Sequence, residues 1–338
     1  MSRILTGDRP TGALHLGHYF GTLANRVRLQ HEGHEIFLVI ADYQVITDRD
    51  HPGDLHQTVS GLVLDYLACG LDPDETVIFP HSAVPALNQL LLPFLSLVSM
   101  GELLRNPTVK AEISLAGRAT VNGLMFTYPV HQAADVLFCH SDLVPVGRDQ
   151  LPHLELTRSI ARRFNERYGT VFALPDALLG EAPVLAGLDG RKMAKSLGNG
   201  ISLTDPADVV AAKIRVARTD SERIITFEPE RRPFVANLLR TAGLCSRRDP
   251  ADIAATVGSG GATGLKDVVT QAICEFLAPI QQRRRGVGPA DVRRVLARGT
   301  AVANDIAERT LGEVRIAMGM AYPHVAGRNA AACVTLDG

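Results

Sequence analysis

Along the first half of the chain, short apolar runs alternate with longer segments whose apolar positions recur at helical spacing. The runs 4–5, 36–41 and 77–79 are short, whereas 19–30 and 55–71 are long. This alternation predicts β–α–β units and hence a parallel sheet with helices on both faces. The run 36–41 is apolar at every position, as a central strand covered on both sides should be. Helical spacing continues through 149–168, where Leu154, Ala161, Phe164 and Tyr168 share a face and Gly169 stands just past the end. The apolar stretch 87–100, interrupted by Asn88, Gln89 and Pro93, is too short to cross a bilayer and is expected as a buried helix. From about Asp205 strands are scarce and helix follows helix, at 206–216, 233–242, 265–282 and 289–318. The small-residue run 258–264 is expected as a surface turn. Residues 322–338 lack periodicity and are expected as a tail.

Length and charge refine this picture. A chain of 338 residues suggests about two domains. The boundaries read as an α/β unit over 1–204, with a helical insertion around 105–170, then an all-α region over 205–321 and the tail 322–338. The last helix is expected to pack back on the first unit. With 46% hydrophobic and 21% charged residues and a mean hydropathy of +0.08, the composition is that of a soluble globular protein. A net charge of −1 argues against a surface given over wholly to nucleic acid. The charge is uneven, however: residues 1–204 balance at −5 and 205–338 at +4. Five scattered cysteines without CxxC spacing fit reduced thiols rather than a disulfide frame or a zinc site, and no metal ligand set is expected. The start runs from Met1 into Ile4 without a signal-peptide core, so a cytoplasmic location is expected, with no membrane contact.

Two clusters carry candidate chemistry. The first is Gly7-Asp8-Arg9-Pro10-Thr11-Gly12 followed by His15-Leu16-Gly17-His18, placed where a first strand ends and a first helix begins. That is where an open α/β sheet binds ligands and where a helix N-terminus attracts phosphate. Gly17 lets a flat ring approach the backbone, and two imidazoles three residues apart can stabilise a transferring phosphoryl group electrostatically. On HxGH alone, a punctuated turn with capping histidines explains the residues equally well. The second cluster, Gly190-Arg191-Lys192-Met193-Ala194-Lys195-Ser196-Leu197-Gly198-Asn199, is a basic loop just before the change of architecture. Alone it reads as a solvated charge run.

Together the two clusters resemble the HIGH and KMSKS signatures of class I aminoacyl-tRNA synthetases, whose catalytic domain has the Rossmann-like HUP fold. The run from Thr127-Tyr128-Pro129 through Ala133-Ala134-Asp135 to Val144-Pro145-Val146-Gly147-Arg148-Asp149-Gln150 resembles the tryptophanyl branch of that family. The likeness extends over nearly the whole chain. It implies that His15, His18, Lys192 and Lys195 act on the reacting phosphates. It further implies an ATP site formed by Arg9, Pro10, Thr11, Gly17, His18, Gly147, Arg148, Asp149, Val184, Lys192, Met193, Ala194, Lys195 and Ser196. Asp135 would accept the indole N–H, with Tyr128, Gln150 and Gln44 lining the tryptophan site. A lone Asp on an apolar helix is otherwise more often a satisfied core group. Lys110 is as well explained as a surface lysine as a phosphate contact.

The resemblance implies tryptophan activation with ATP, with Mg²⁺ held mainly by the ATP phosphates, then transfer to tRNA(Trp) by a homodimer that does not bind DNA. The basic helical region would read the anticodon. Ala194 stands where the signature has Ser. Gln44 and Arg9 stand where many bacterial relatives have His and Gln, so affinity for tryptophan mimics is expected to differ. The alternatives are a tyrosine-specific class I synthetase and a non-charging paralogue that binds tRNA or tryptophan.

Overall fold

The computed structural model describes residues 1–47, 51–107, 109–110, 122–147, 150–179, 185–191, 193 and 197–322. Arg148, Asp149, Val184, Lys192, Ala194, Lys195 and Ser196 lie outside the described residues, as does the tail from 323. Strands β1 (Arg3–Asp8), β2 (Glu35–Ile40), β3 (Thr76–Pro80), β4 (Leu143–Val146) and β5 (Asp176–Leu179) form one sheet in the order β3-β2-β1-β4-β5. Every pairing is parallel, with Arg3 opposite Glu35 and Ile36 opposite Thr76 setting the central register. The order turns back at β1, so the crevice beyond the carboxyl ends of β1 and β4 is the topological switch point, where such sheets bind ligands. The β2 residues Ile36 to Ile40 are all buried.

Helix α1 (Leu16–His18) passes through a π-helical turn, Tyr19–Leu23, into α2 (Ala24–His31), completing the β1-to-β2 crossover. Helix α3 (Leu55–Cys69) makes the β2-to-β3 crossover. Asp54 accepts the Gln57 N–H at its start, and Gly70 at φ 107° ends it in the left-handed conformation that glycine adopts without steric cost.

The apolar stretch 87–100 departs from expectation. It is split into α4 (Pro85–Gln89), α5 (Leu91–Leu95) and the start of α6 (Met100–Arg105). Pro93 has no N–H to donate to Gln89 O, which ends the first helix at that point. Leu92 and Met100 are left 74% and 71% exposed. Two further helices, α7 (Gly123–Leu137) and α8 (Leu151–Tyr168), flank β4.

The rest is helical: α9 (Ala207–Arg215), α10 (Pro233–Ser246), α11 (Pro250–Val257), α12 (Gly261–Gly286) and α13 (Pro289–Ala317). Only part of the run 258–264 is a turn. Gly258 and Gly261, both at positive φ, break the chain, but 261–264 already belong to α12. The buried spacing of Leu265, Val269 and Ile273 continues that helix inward.

The two faces of the sheet bury different partners. Leu38, Ile40 and Ile78 join Leu62 and Tyr66 of α3 and Ile273 of α12, while Phe37, Val39 and Phe79 join Phe94, Phe138, Ala303 and Ile306. Helix α13 lies directly on β3. A Cβ at Gly299 would fall 2.0 Å from Ile78 O.

Candidate active site

The histidine segment and the stem that follows the lysine loop, 185 to 189 residues apart in sequence, meet as backbone. Leu16 N–H donates to Ile201 O at 3.0 Å, Leu203 N–H donates to Leu14 O at 2.9 Å, and His15 forms an antiparallel bridge with Ser202. The stem that follows the lysine loop is thus an added strand along the His-Leu-Gly-His segment. Met193, the described residue between the two lysines, is buried there. A Cβ at Gly17 would lie 3.0 Å from the His15 ring and 3.2 Å from Met193 Sδ. The loop base is closed by Leu188 N–H donating to Asn199 O, and by the Asn199 amide and Arg191 both donating to Asp189. Donation from Asn199, ahead of Arg191, holds the Asp189 carboxyl down at about 2. Asn237 of α10 bonds the backbone of Ala186 and Gly187, anchoring the loop on the helical region.

The histidine rings lie 3.7 Å apart between centroids. His15 N–H donates to His18 Nδ1 at 3.2 Å, so in the neutral ring the proton of His18 sits on Nε2. Beside them, Thr11, Gly12, Ala13, His15, Gly198, Gly200, Ser202 and Lys213 line a cleft of about 220 Å³. Lys213 Nζ donates to Gly200 O and to Asp205. No carboxylate lines this cleft among the described residues, a donor set suited to phosphate oxygens rather than to a metal ion held by the protein.

Beneath the histidines runs a buried ion pair that the sequence did not single out. Arg26, 3% exposed, donates to both oxygens of Asp8, to Gly7 O and to Thr6 Oγ1, and the Tyr66 hydroxyl donates to Asp8 at 2.7 Å. Burial alone would raise the Asp8 carboxyl. Arg26 and Tyr66 outweigh it and hold the group at about 2, below the usual 3.8. A carboxyl lowered by folding stabilises the fold fully above its unfolded value, and that contribution fades as pH falls from about 3.8 towards 2. Urea unfolding between pH 5 and 2 should therefore show a steeper loss of stability in the wild type than in Asp8→Asn. Parallel slopes would refute this.

The second part of the site lies at the carboxyl ends of β2 and β3. Asp135 on α7 is 2% exposed, and one turn earlier His131 is also buried. His81, the first residue after β3, is fully buried between Asp42 and Asp135, with Nε2 3.3 Å from Asp42 Oδ1 and Nδ1 3.4 Å from Asp135 Oδ1. The Tyr128 hydroxyl is 3.1 Å from His153 Nε2. The segment Tyr43–Thr47, which carries Gln44, is fixed by Arg9 donating to Thr47 Oγ1 at 3.4 Å and by Asn122 donating to Thr47 O. Gly147 is exposed at the end of β4, and Gln150 N–H donates back to its carbonyl. Lys110 is exposed near a helix end.

His81, His131 and Asp135 offer ligand atoms within 4.8 Å of one another, the geometry of a possible metal group. The Tyr43 N–H nevertheless points at His81 Nε2 from 2.9 Å, which puts the ring proton on Nδ1, the atom facing Asp135. His81 and His131 went unnoticed in the sequence. The available signal was the position of His81 directly after an apolar strand, at the ligand-binding edge of the sheet.

Comparison with known proteins gives the same frame. The family model for class I tRNA synthetases (W and Y) matches residues 1–278. A tryptophan–tRNA ligase of Treponema pallidum (strain Nichols) is 42% identical over 336 residues, covering 95% of this chain and 97% of that protein. One from Streptococcus pyogenes serotype M3 is also 42% identical over 336 residues, covering 94% and 98%. The tryptophanyl-tRNA synthetase of Campylobacter jejuni, solved with ADP and tryptophan, superposes with a TM-score of 0.83 at 27% identity, covering 94% of this chain and 99% of that one. With the histidine segment and the lysine-loop stem joined at the switch point of a parallel sheet, the chain belongs to the tryptophanyl-tRNA synthetases of class I.

Proposed function

We propose that this chain is a tryptophan–tRNA ligase. It joins L-tryptophan to the α-phosphate of ATP, releasing pyrophosphate, and then transfers tryptophan to the 3′-terminal ribose of tRNA(Trp). The observation that carries the reading is the joined backbone of 14–16 and 201–203, which brings the histidine segment to the stem that follows the lysine-bearing sequence 190–199. Displacement at phosphorus needs positioning and charge neutralisation more than covalent help. His18 Nε2–H serves a phosphate oxygen. Arg9, Pro10, Thr11 and Gly17 hold the nucleotide, with Gly147, Arg148, Asp149 and Val184 at the adenosine. Lys192 and Lys195, with Met193, Ala194 and Ser196 shaping the loop, take the charge that builds on pyrophosphate. Mg²⁺ supplies further neutralisation when bound, through the phosphates themselves. Asp135 accepts the indole N–H, and Tyr128, Gln150 and Gln44 complete the tryptophan pocket.

The enzyme works as a cytoplasmic homodimer, and its helical region meets the tRNA. No helix among the described residues is long and apolar enough to cross a membrane. Much of the basic surplus is turned inward: Arg284 pairs with Asp65, Arg283 donates to Ala68 O, and Arg232 is buried against Asp220. Arg240, Arg247 and Arg248 instead rim a cleft of about 380 Å³ floored by Leu185, Leu244 and Pro250, which favours them for RNA contact.

Pyrophosphate exchange with tryptophan and with tyrosine, followed by charging of tRNA(Trp), tests the function. Exchange driven by tyrosine would make it a tyrosine enzyme, and no exchange at all would make it a binding paralogue. In Gly17→Ala the new methyl would lie 3.0 Å from the His15 ring and 3.2 Å from Met193 Sδ, so each must give by a few tenths of an ångström. Exchange should slow by roughly threefold to tenfold, a fraction of the ~10²-fold that misplacement of about 1 Å causes, while tryptophan KM stays within about twofold. An unchanged rate would show that the loop tolerates the shift.

A further inference from the structure

Tyr43 N–H is shared between His81 Nε2 at 2.9 Å and Asp42 Oδ1 at 3.0 Å, which gives His81 Nε2 the acceptor role and Nδ1 the ring proton. Nδ1 faces Asp135 Oδ1 at 3.4 Å, and His81 is the hydrogen-bond partner of that carboxylate among the described residues. His131, tilted against His81 with ring centroids 4.7 Å apart, does not compete for it. The Asn88 amide NH₂ donates to His81 O and Val84 O, which turns its oxygen to His131 Nε2 at 2.7 Å and fixes the His131 proton there. His131 Nδ1 is therefore a bare, buried acceptor, and burial ahead of all else keeps this imidazole neutral. The titratable groups around His81 are Asp42 and Tyr43 from the segment after β2, and His131 and Asp135 from α7.

We propose that His81 is the positioning residue for tryptophan recognition: its Nδ1–H clamps Oδ1 of Asp135, holding the carboxylate turned so that Oδ2 meets the indole N–H. This rests on the reading of the chain as a tryptophan enzyme. A buried carboxylate with no donor to fix it can rotate, and its lone pairs then no longer meet the indole N–H in line. The clamp thus makes a buried carboxyl usable as an acceptor for a neutral donor.

The test uses tryptophan-dependent pyrophosphate exchange by the full-length enzyme and its His81→Leu and His81→Asn variants. The competing substrate is benzothienylalanine, whose ring has the shape of indole without the N–H. His81→Leu should raise tryptophan KM by ~30-fold, leave kcat within about twofold, and erode discrimination against benzothienylalanine by the same factor. His81→Asn, whose amide N–H falls where Nδ1–H lay, should recover most of the discrimination. Wild-type KM and discrimination in His81→Leu, or equal losses for both amino acids, would overturn the inference. If the leucine variant does not fold, ¹⁵N-histidine spectra of the wild type decide: a proton on Nδ1 of His81 supports the clamp and one on Nε2 overturns it. Wild-type exchange driven by tyrosine and not by tryptophan would remove the functional reading, and this inference with it.

Discussion

Asp135→Ala is expected to lower kcat/KM for tryptophan by two to three orders of magnitude, roughly the combined effect of a lost charge-assisted hydrogen bond and a buried indole N–H left without a partner. Most of that loss should vanish for benzothienylalanine, so the variant should handle the two amino acids almost alike. Asp135→Asn should be nearly as damaging despite its matching shape. With Nδ1–H of His81 taking the amide oxygen, the NH₂ would be turned towards the indole N–H, donor against donor. Parallel exchange assays on the two amino acids measure the ratio directly. Retention of wild-type discrimination in either variant would remove Asp135 from the pocket.

The second large effect concerns the fold. In Gly299→Ala the methyl carbon would lie 2.0 Å from Ile78 O, 2.7 Å from its carbonyl carbon and 2.8 Å from its nitrogen. All three are backbone atoms of β3, and a strand paired in register to β2 cannot step aside as a side chain would. Helix α13 must lift instead, opening the layer in which Ala303, Ile306 and Leu311 pack on Phe79 and Phe138. The expected loss is about 3 kcal/mol, at the upper end of overpacking effects. Gly312 lies on the same helix with nothing within 4 Å of an added Cβ, so Gly312→Ala should be neutral or stabilising by ~1 kcal/mol through helix propensity. The urea midpoint of Gly299→Ala should therefore fall while that of Gly312→Ala holds or rises. A Gly299→Ala midpoint equal to the wild type would mean that α13 sits more loosely on the sheet than the backbone contact implies.

Legibility in the sequence followed the physics of each element. Strands β1 to β3 and the crossover helices were visible because burial on two faces or one leaves an apolar signature. Strand β5 was not, since Asp176-Ala177-Leu178-Leu179 is a four-residue edge with little burial. The division of 87–100 turned on one missing proline N–H, which an apolar average does not register. Asp135 and the two signature clusters stood out through local order of residues. His81 could not, because its role arises where the ends of β2 and β3 meet α7. Arg26 likewise sits on a helix that reads as polar, and only the fold shows it buried against Asp8. The inward-facing arginines of the helical region show the opposite error, since a charge count cannot tell a solvated cation from one already paired.

The seat of α13 on β3 also bears on how the chain is made. Asn304 donates to Ala83 O across 221 residues, and the helix carrying it is the last one among the described residues. During synthesis β3 can pair with β2 early, but the outer side of that edge stays bare until α13 has left the ribosome. An uncovered strand edge is a template for misplaced pairing, and at ~5–20 residues per second the exposure lasts on the order of ten seconds or more. The nascent chain therefore passes through its most aggregation-prone period with its nucleotide crevice nearly assembled and its sheet still open along one side.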